Sequence, residues 1–544
     1  MGTLYYGDNL DILSRYLADE SVDLVYLDPP FNSAQNYNAF FEEKDGTAAA
    51  AQIQAFKDTW DWNSESRAAY ETLSLRADKP GNVMRAFMEI LGPTDMMAYL
   101  AMMAPRLAEL RRVLKKTGSL YLHCDPTASH YLKLLLDAVF GGKNFRAEIM
   151  WKRHNARSTD QCWPHIHDII LHYTVSDSFL YRETKVKADQ ARMPHTLITG
   201  ADGLKYQTYE LTGAGRTAKG ETGKPWRGFD PGKMGRHWGN SQATLEAWAQ
   251  KGLIHFPSNG GFPRRRDEAP FVAEDRLVTV GDVWTDIDRI NQAAKERLGY
   301  PTQKPVALLE RIILASSQPG DVVLDPFCGC GTTVDAAEKH GRKWLGIDIT
   351  HLAITLIKNR LRDTYRIDLP MQVIGEPTDL SGARSLAAEN KYQFQWWALG
   401  LVGARPVEEK KGADGGVDGK ILFREHPDPK QQPHAIVFSV KGGHVGVKDV
   451  RELDSVVKRT GAAIGVLISL AETTKPMRVE AVETGSYTSA FNGQKYPRLQ
   501  LLTIGQLLAG IPVQRPSGNV AVDETFKRAP KAKAQGGEQG EMTL

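Results

Sequence analysis

The chain has 544 residues, 42% of them hydrophobic and 24% charged, with a net charge of +3. That length exceeds what one hydrophobic core organises, so two or three domains are expected. The near-neutral charge says little about partners, and no apolar run approaches the roughly 18–20 residues of a membrane span.

The first residues, "MGTLYYGDNLDIL", lack the basic-then-apolar order of a secretory signal, and Tyr6 stands where myristoylation would need Ser or Thr. "VDLVYL" reads as a buried strand that runs into "DPPFN", where two prolines stop it. "MMAYLAMMAPRLAELRRVLKKTG" has helical periodicity, with basic residues in its last turns and Gly118 after them. "GSLYLH" (118–123) is a second buried strand, and the alternation over 1–150 predicts a parallel sheet covered on both faces. From about 155 to 290 the periodicity loosens, while Trp163, Trp226, Trp238 and Trp248 predict that the stretch is ordered. It carries two short basic clusters beside aromatics, "WKRHNAR" (151–157) and "FPRRRDE" (262–268). Order returns at 300–365, and a third segment runs from about 385 to 512. From 515 to 544 the composition predicts a disordered tail.

"LDPFCGCGTT" (324–333) places an acid at a strand end, then two glycines two residues apart, then a Thr pair suited to cap a helix. Asp348, in "WLGID", lies 23 positions past Asp325 at the end of the next strand, the spacing of an acid that binds ribose hydroxyls. The third glycine of a dinucleotide fingerprint is missing, which points away from NAD and towards a nucleoside cofactor without a pyrophosphate. Four cysteines (Cys124, Cys162, Cys328, Cys330) are too few and scattered for a disulfide framework, so a reducing cytoplasm is expected. Cys328 and Cys330 supply only two of the about four ligands that zinc would need.

The stretch "DPPF" (28–31) suits a planar base carrying an amino group. The exocyclic amine of adenine or cytosine is a weak nucleophile because its lone pair is conjugated, and it must pyramidalise to attack a methyl donor. Two acceptors on its N–H groups favour that change as charge develops on nitrogen. Asp28 supplies one acceptor and the carbonyl of Pro29 the other; Pro29 and Pro30 hold that carbonyl outside any ladder, and Phe31 can stack on the base.

With these motifs the sequence resembles the amino-methyltransferases of DNA, in the order where the catalytic motif precedes the cofactor motif, over roughly 4–365. The resemblance implies a Rossmann-like α/β sheet that uses S-adenosylmethionine. Its catalytic half would be 1–150, an inserted target-recognition region 151–290, and the cofactor half 291–370. By the same resemblance Asp8 contacts the cofactor's adenine, Lys304 and Pro305 in "GYPTQKPVALLERII" flank its methionine part, and Asp325, Pro326, Phe327, Gly329, Gly331, Thr332 and Asp348 form the cofactor loop. Cys330 stands where the family commonly has Ser. Lys152, Arg153, Arg264, Arg265 and Arg266 become phosphate contacts on double-stranded DNA. Asp at the first motif position accompanies adenine N6 in this family, and cytosine N4 is the alternative. The target base must flip out of the duplex. A homodimer and a separate restriction subunit are partners the resemblance allows, in the cytoplasm of a bacterial, archaeal or phage-infected cell. The same clamp would also accept a flipped base of RNA.

"KGADGGVDGKILF" (411–423) followed by "AIVFSVKGG" (435–443) resembles the Mrr-like branch of restriction-endonuclease folds over 385–512, a smaller α/β domain. There Asp418, with Asp414 nearby, and Lys441 would hold Mg²⁺ and a water for phosphodiester hydrolysis. Ser439 stands where that fold has Glu or Gln, so two readings stay open: an active nuclease, making the chain a restriction–modification protein, and a DNA-binding relic. "TTKPMRVEA" (473–481) reads as helix plus turn.

Overall fold

The computed structural model describes residues 2–30, 62–155, 162–187, 197–200, 202–215, 220–258, 260–270, 277–291, 293–300, 302–365, 370–407, 416–425, 432–518 and 521–531. Two compact units share them. One comprises 1–182 and 282–535, the other 183–281 with the chain end.

The first unit begins with strand β1 (Gly2–Tyr6), helix α1 (Asn9–Tyr16) and strand β2 (Val22–Leu27). Helices α2 (Ser64–Ser74), α3 (Lys79–Leu91) and α4 (Asp95–Val113) follow, then β3 (Leu114–Cys124), α5 (Pro126–Phe140), β4 (Phe145–Lys152) and β5 (His167–Thr174). After the second unit come β6 (Val283–Trp284), α6 (Val306–Ser316), β7 (Val322–Asp325), α7 (Thr332–Lys339), β8 (Lys343–Asp348), α8 (His351–Tyr365) and β9 (Met371–Ile374). The nine strands form one sheet in the order β6-β4-β5-β3-β2-β7-β8-β1-β9, parallel except for β5, which runs against β3 and β4. The chain leaves β2 for β3 on one side and leaves β7 for β8 on the other. The sheet order therefore reverses between β2 and β7, which pair through Leu24–Val323 and Val25–Leu324. In open α/β sheets the crevice at such a reversal is where ligands sit.

Two expectations shift here. The helix ends at Val113, and Leu114–Lys116 already belong to β3, because Lys115 Nζ reaches both oxygens of Asp23 at 2.8 Å and draws this stretch against β2. The register slips between Val22–Leu114 and Leu24–Ser119, and Gly118 sits in the bulge, where a Cβ would lie 2.8 Å from Leu114 Cδ2 and 2.9 Å from Lys115 O. The insertion also begins later than 151. "HDIILHYT" is the buried strand β5, so Lys152 and Arg153 belong to the sheet unit and not to the unit that holds Arg264–Arg266.

The second unit, by itself, contains a four-stranded antiparallel sheet in which Arg264–Arg266 lies between Ile254–His255 and Lys205–Glu210. Trp226 and Trp238 are buried with Leu211, Leu245 and Ile254 in its core, and Trp248 packs against it. Trp163, which belongs to the first unit, is 92% exposed and contributes nothing of the kind.

The C-terminal domain, also part of the first unit, has α9 (Leu380–Glu389), α10 (Lys391–Leu401), β10 (Gly419–Arg424), β11 (His434–Lys441), α11 (Val447–Thr460), β12 (Ile464–Ser469), α12 (Lys475–Glu483) and β13 (Leu499–Thr503). β10 and β11 are antiparallel, and β11, β12 and β13 are parallel. α8 and α10 cross closely, since a Cβ at Gly400 would lie 2.7 Å from Thr355 Oγ1. The tail is not wholly irregular. Val522–Asp523 pairs with β10, and Arg515 binds Asp523 at 2.7 Å, so the ordered fold extends past 515.

Candidate active site

Asp28 directly follows β2, and the Lys304 ammonium meets its Oδ2; both side chains are mostly buried. Pro29 is buried and Pro30 half-buried, while Phe31 lies outside the described residues. Lys304 is delivered by an irregular loop. Thr302 has φ 58°, costly for a β-branched residue, and Gln303 ties the loop to itself through Leu298 N (2.8 Å) and Glu296 O (2.7 Å). Pro305 is the N-cap position of α6, and the Glu296 carboxylate accepts from Val306 N at 3.1 Å in place of a side-chain cap.

The glycine loop follows β7. Gly329 and Gly331 have φ of +50° and +74°, and a Cβ at Gly331 would stand 2.7 Å from Ile357 Cγ1. Asp325 accepts from Phe327 N at 3.0 Å and from Thr333 Oγ1 at 2.5 Å. Burial outweighs those bonds and pushes its carboxyl up to about 7. Asp348 ends β8; its Oδ2 accepts from Gly329 N at 3.0 Å and its Oδ1 from Thr350, and burial raises it to about 6. The Thr pair does not cap α7. Gly331 is the N-cap residue with no side-chain bond, Thr333 serves Asp325, and Thr332 Oγ1 accepts from Arg360 Nη1 at 3.1 Å. Arg360, buried and paired with Asp335, also donates to Cys330 O, so it braces the loop from below.

Asp8 is a helix cap as well as an ion-pair partner. Its Oδ1 accepts from Leu10 N at 2.8 Å, and Arg106 Nη2 donates to its Oδ2 at 2.6 Å. Arg106, buried on α4, also donates to Asn9 Oδ1 at 2.6 Å, and Asn9 Nδ2 donates to the carbonyl of Pro326 at 2.9 Å. One arginine thus ties α4, through Asn9, to the glycine loop. Neither it nor Arg360 was visible in the sequence, because no local motif marks them.

Of the basic clusters, Arg153 is about one-third exposed and its Nε lies 3.2 Å from Asp168 Oδ1. Lys152 ends β4, partly buried. In the second unit Arg264 donates to Thr208, Arg265 stacks on Trp248 at 4.6 Å, and Arg266 lies 4.3 Å over the Tyr206 ring, so all three are half-buried.

In the C-terminal domain Asp418 Oδ2 accepts from Val440 N at 2.6 Å, and Lys441 Nζ lies 3.8 Å from Asp449 Oδ1. Ser439 is buried, and Asp414 lies outside the described residues. Among the described residues no group of three His, Cys, Asp or Glu side chains could hold a metal ion, and no helix is long and apolar enough to cross a membrane.

The Asp28 carboxylate after β2 and the glycine loop after β7 follow neighbouring strands at the sheet's reversal, where open α/β sheets hold ligands. Residues 22–359 match the family described as DNA methylase, of the N6/N4 type, and the chain belongs to that family. Residues 392–509 match a family described as NACHT-associated inactive restriction endonuclease, in keeping with a restriction-endonuclease-like C-terminal domain. The chain is 30% identical over 357 residues to the Type II methyltransferase M.EcaI of Enterobacter cloacae, covering 65% of this chain and 68% of that protein. It is 27% identical to the Mod subunit of the Type III restriction-modification enzyme StyLTI of Salmonella typhimurium, over 61% of this chain but 48% of that protein. With the DNA adenine methyltransferase YhdJ of Escherichia coli the identity is 26%, over 66% and 82%. Among solved structures, the cytosine-N4-specific PvuII DNA methyltransferase superposes with a TM-score of 0.32 at 12% identity, over 65% of this chain and 85% of that one.

Proposed function

We propose that the chain transfers a methyl group from S-adenosylmethionine to N6 of adenine in duplex DNA. The observation that carries this reading is the adjacency of β2 and β7, which opens the Asp28 carboxylate and the glycine loop into one crevice. When bound, S-adenosylmethionine supplies an electrophilic methyl group on a positively charged sulfur.

The residues suit that cofactor. Bare backbone at Gly329 and Gly331 leaves room for close approach, since a Cβ at Gly329 would already stand 3.0 Å from the Tyr300 ring. Asp348 Oδ2, which accepts one bond from Gly329 N, keeps a lone pair for a ribose hydroxyl. Asp8 and the loop around Lys304 and Pro305 bound the adenine and methionine ends. Asp28 accepts one N–H of the target amine and the Pro29 carbonyl the other, and both gain strength as nitrogen becomes positive. With Lys304 on Oδ2, Oδ1 takes the amine. A base stacked in the duplex is out of reach, so it must leave the helix.

The test is incubation of the protein with unmethylated genomic DNA and S-adenosylmethionine, then nucleoside digestion and mass spectrometry. N6-methyladenine is expected. N4-methylcytosine would refute the choice of base, and no methylated base would refute the reading.

The C-terminal domain is a DNA-binding module that does not cut. Asp418 Oδ2 accepts from Val440 N, and a buried Ser439 stands where the fold would have a carboxylate. A separate restriction subunit is the partner class that would complete such a pair. Supercoiled unmethylated plasmid incubated with the protein and Mg²⁺ stays intact on this reading, and linear product would overturn it.

A further inference from the structure

A buried polar chain runs along the carboxyl edge of the sheet beneath Asp28. Tyr26 on β2 bonds His123 Nδ1 on β3 at 2.8 Å, and His123 Nε2 bonds Asp168 Oδ2 on β5 at 3.1 Å. Asp168 Oδ1 then meets Arg153, just past β4, in a charge contact without an aligned hydrogen bond. Tyr26, His123 and Asp168 are 2%, 0% and 1% exposed. A carboxylate can only accept, so His123 donates from Nε2, and its Nδ1 lone pair accepts the Tyr26 hydroxyl proton. The chain therefore has one direction: Tyr26 to His123 to Asp168.

Such a chain is an expensive way to fill a core, because apolar side chains of similar volume would need no partners. Its position accounts for it. Tyr26 lies on β2 two residues before Asp28, which directly follows that strand. Burial pushes the Asp168 carboxyl up, but the hydrogen bond from His123 and the charges of Arg153 and Lys304 outweigh it and hold the carboxyl below its ordinary range. Lys304 thus feels Asp168 while it holds Asp28. Trp151 packs edge-on against His123 at 5.6 Å and fixes the ring. The end of β2 is gripped from two sides, through Tyr26 along the strand and through Lys304 across the crevice.

We propose that His123, with Tyr26 and Asp168, is a positioning residue for the transfer step: it fixes the carboxyl end of β2 so that Asp28 meets the target amine in reactive geometry. This rests on the methyl-transfer reading above. The experiment measures single-turnover methylation at saturating cofactor and DNA, with S-adenosylmethionine affinity by calorimetry and DNA affinity by fluorescence anisotropy. Tyr26→Phe and His123→Ala are expected to slow the rate by about 10- to 100-fold, the scale of a misplacement near 1 Å, with both affinities within about twofold of wild type. His123→Asn keeps an acceptor for Tyr26 and is expected to recover part of the rate. Wild-type rates in Tyr26→Phe, or rate losses matched by lost cofactor or DNA affinity, would overturn the positioning role alone. A wild-type protein that methylates nothing would overturn the functional reading and this role with it.

Discussion

Replacing Asp325 by Asn tests whether the glycine loop is built around a carboxyl group that resents its charge. Burial holds this carboxyl near pH 7 against an ordinary 3.8. Between those values the folded protein keeps a proton that the unfolded chain has released, so stability is greatest below about pH 4 and is lost as pH rises towards 7. The full gap of about 3 pH units, at about 1.4 kcal/mol each, corresponds to about 4 kcal/mol. From pH 5 to pH 8 the change is about 3 kcal/mol, because only the 2 pH units below 7 contribute. Asn keeps the shape, accepts from Phe327 N, and lets the Thr333 hydroxyl turn round. The variant is therefore expected to gain on wild type by about 3 kcal/mol between pH 5 and pH 8, a relative rise in Tm of about 5 °C for a domain of this size. Thermal unfolding followed by tryptophan fluorescence at the two pH values reads the difference. An unchanged pH dependence, or a variant that loses ground at pH 8, would refute the argument.

Asp28→Ala is expected to abolish methylation while calorimetry shows S-adenosylmethionine bound nearly as before; loss of binding would move Asp28 into the cofactor site. Arg106→Ala leaves Asn9 Oδ1 buried without its donor and loosens the Asn9 side chain that holds the Pro326 carbonyl, and it should cost about 2–4 kcal/mol, discounted because the Asp8 end is exposed. Thermal melts measure that cost, and a loss below about 1 kcal/mol would contradict the bracing role. Gly331→Ala meets Ile357 at 2.7 Å in a left-handed conformation and should weaken cofactor affinity at least about tenfold by calorimetry. Asp348→Ala should weaken the same affinity, and an unchanged value would place the ribose contact elsewhere.

What could be read from the sequence was what lies contiguous in it. "DPPF" and "LDPFCGCGTT" each carry a strand end, a turn and a chemical group within ten residues, so the central strands and the loop were legible. The partner of Asp28 was not, because Lys304 is 276 positions away and its segment reads only as part of a cofactor flank. The Tyr26–His123–Asp168 chain was hidden for the same reason. A histidine in "LYLHC" looks like any core residue until β5 brings a carboxylate to it. Local patterns also misled where tertiary contacts overrode them. Lys115 looked like a basic helix end but pairs with Asp23 in the sheet.

The adjacency of β2 and β7 has a consequence for how the molecule comes into being. The two strands at the sheet's centre are separated by nearly 300 residues of chain, and β1 finds both of its neighbours, β8 and β9, later still. At about 5–20 residues per second of synthesis, β2 waits roughly 15–60 seconds for β7 to emerge. Until then β1 is a strand without a sheet and β2 is open on one side, exposed to wrong pairing. A growing chain therefore has no crevice between β2 and β7 until synthesis has passed Asp325, and the sheet that holds it closes only with β9.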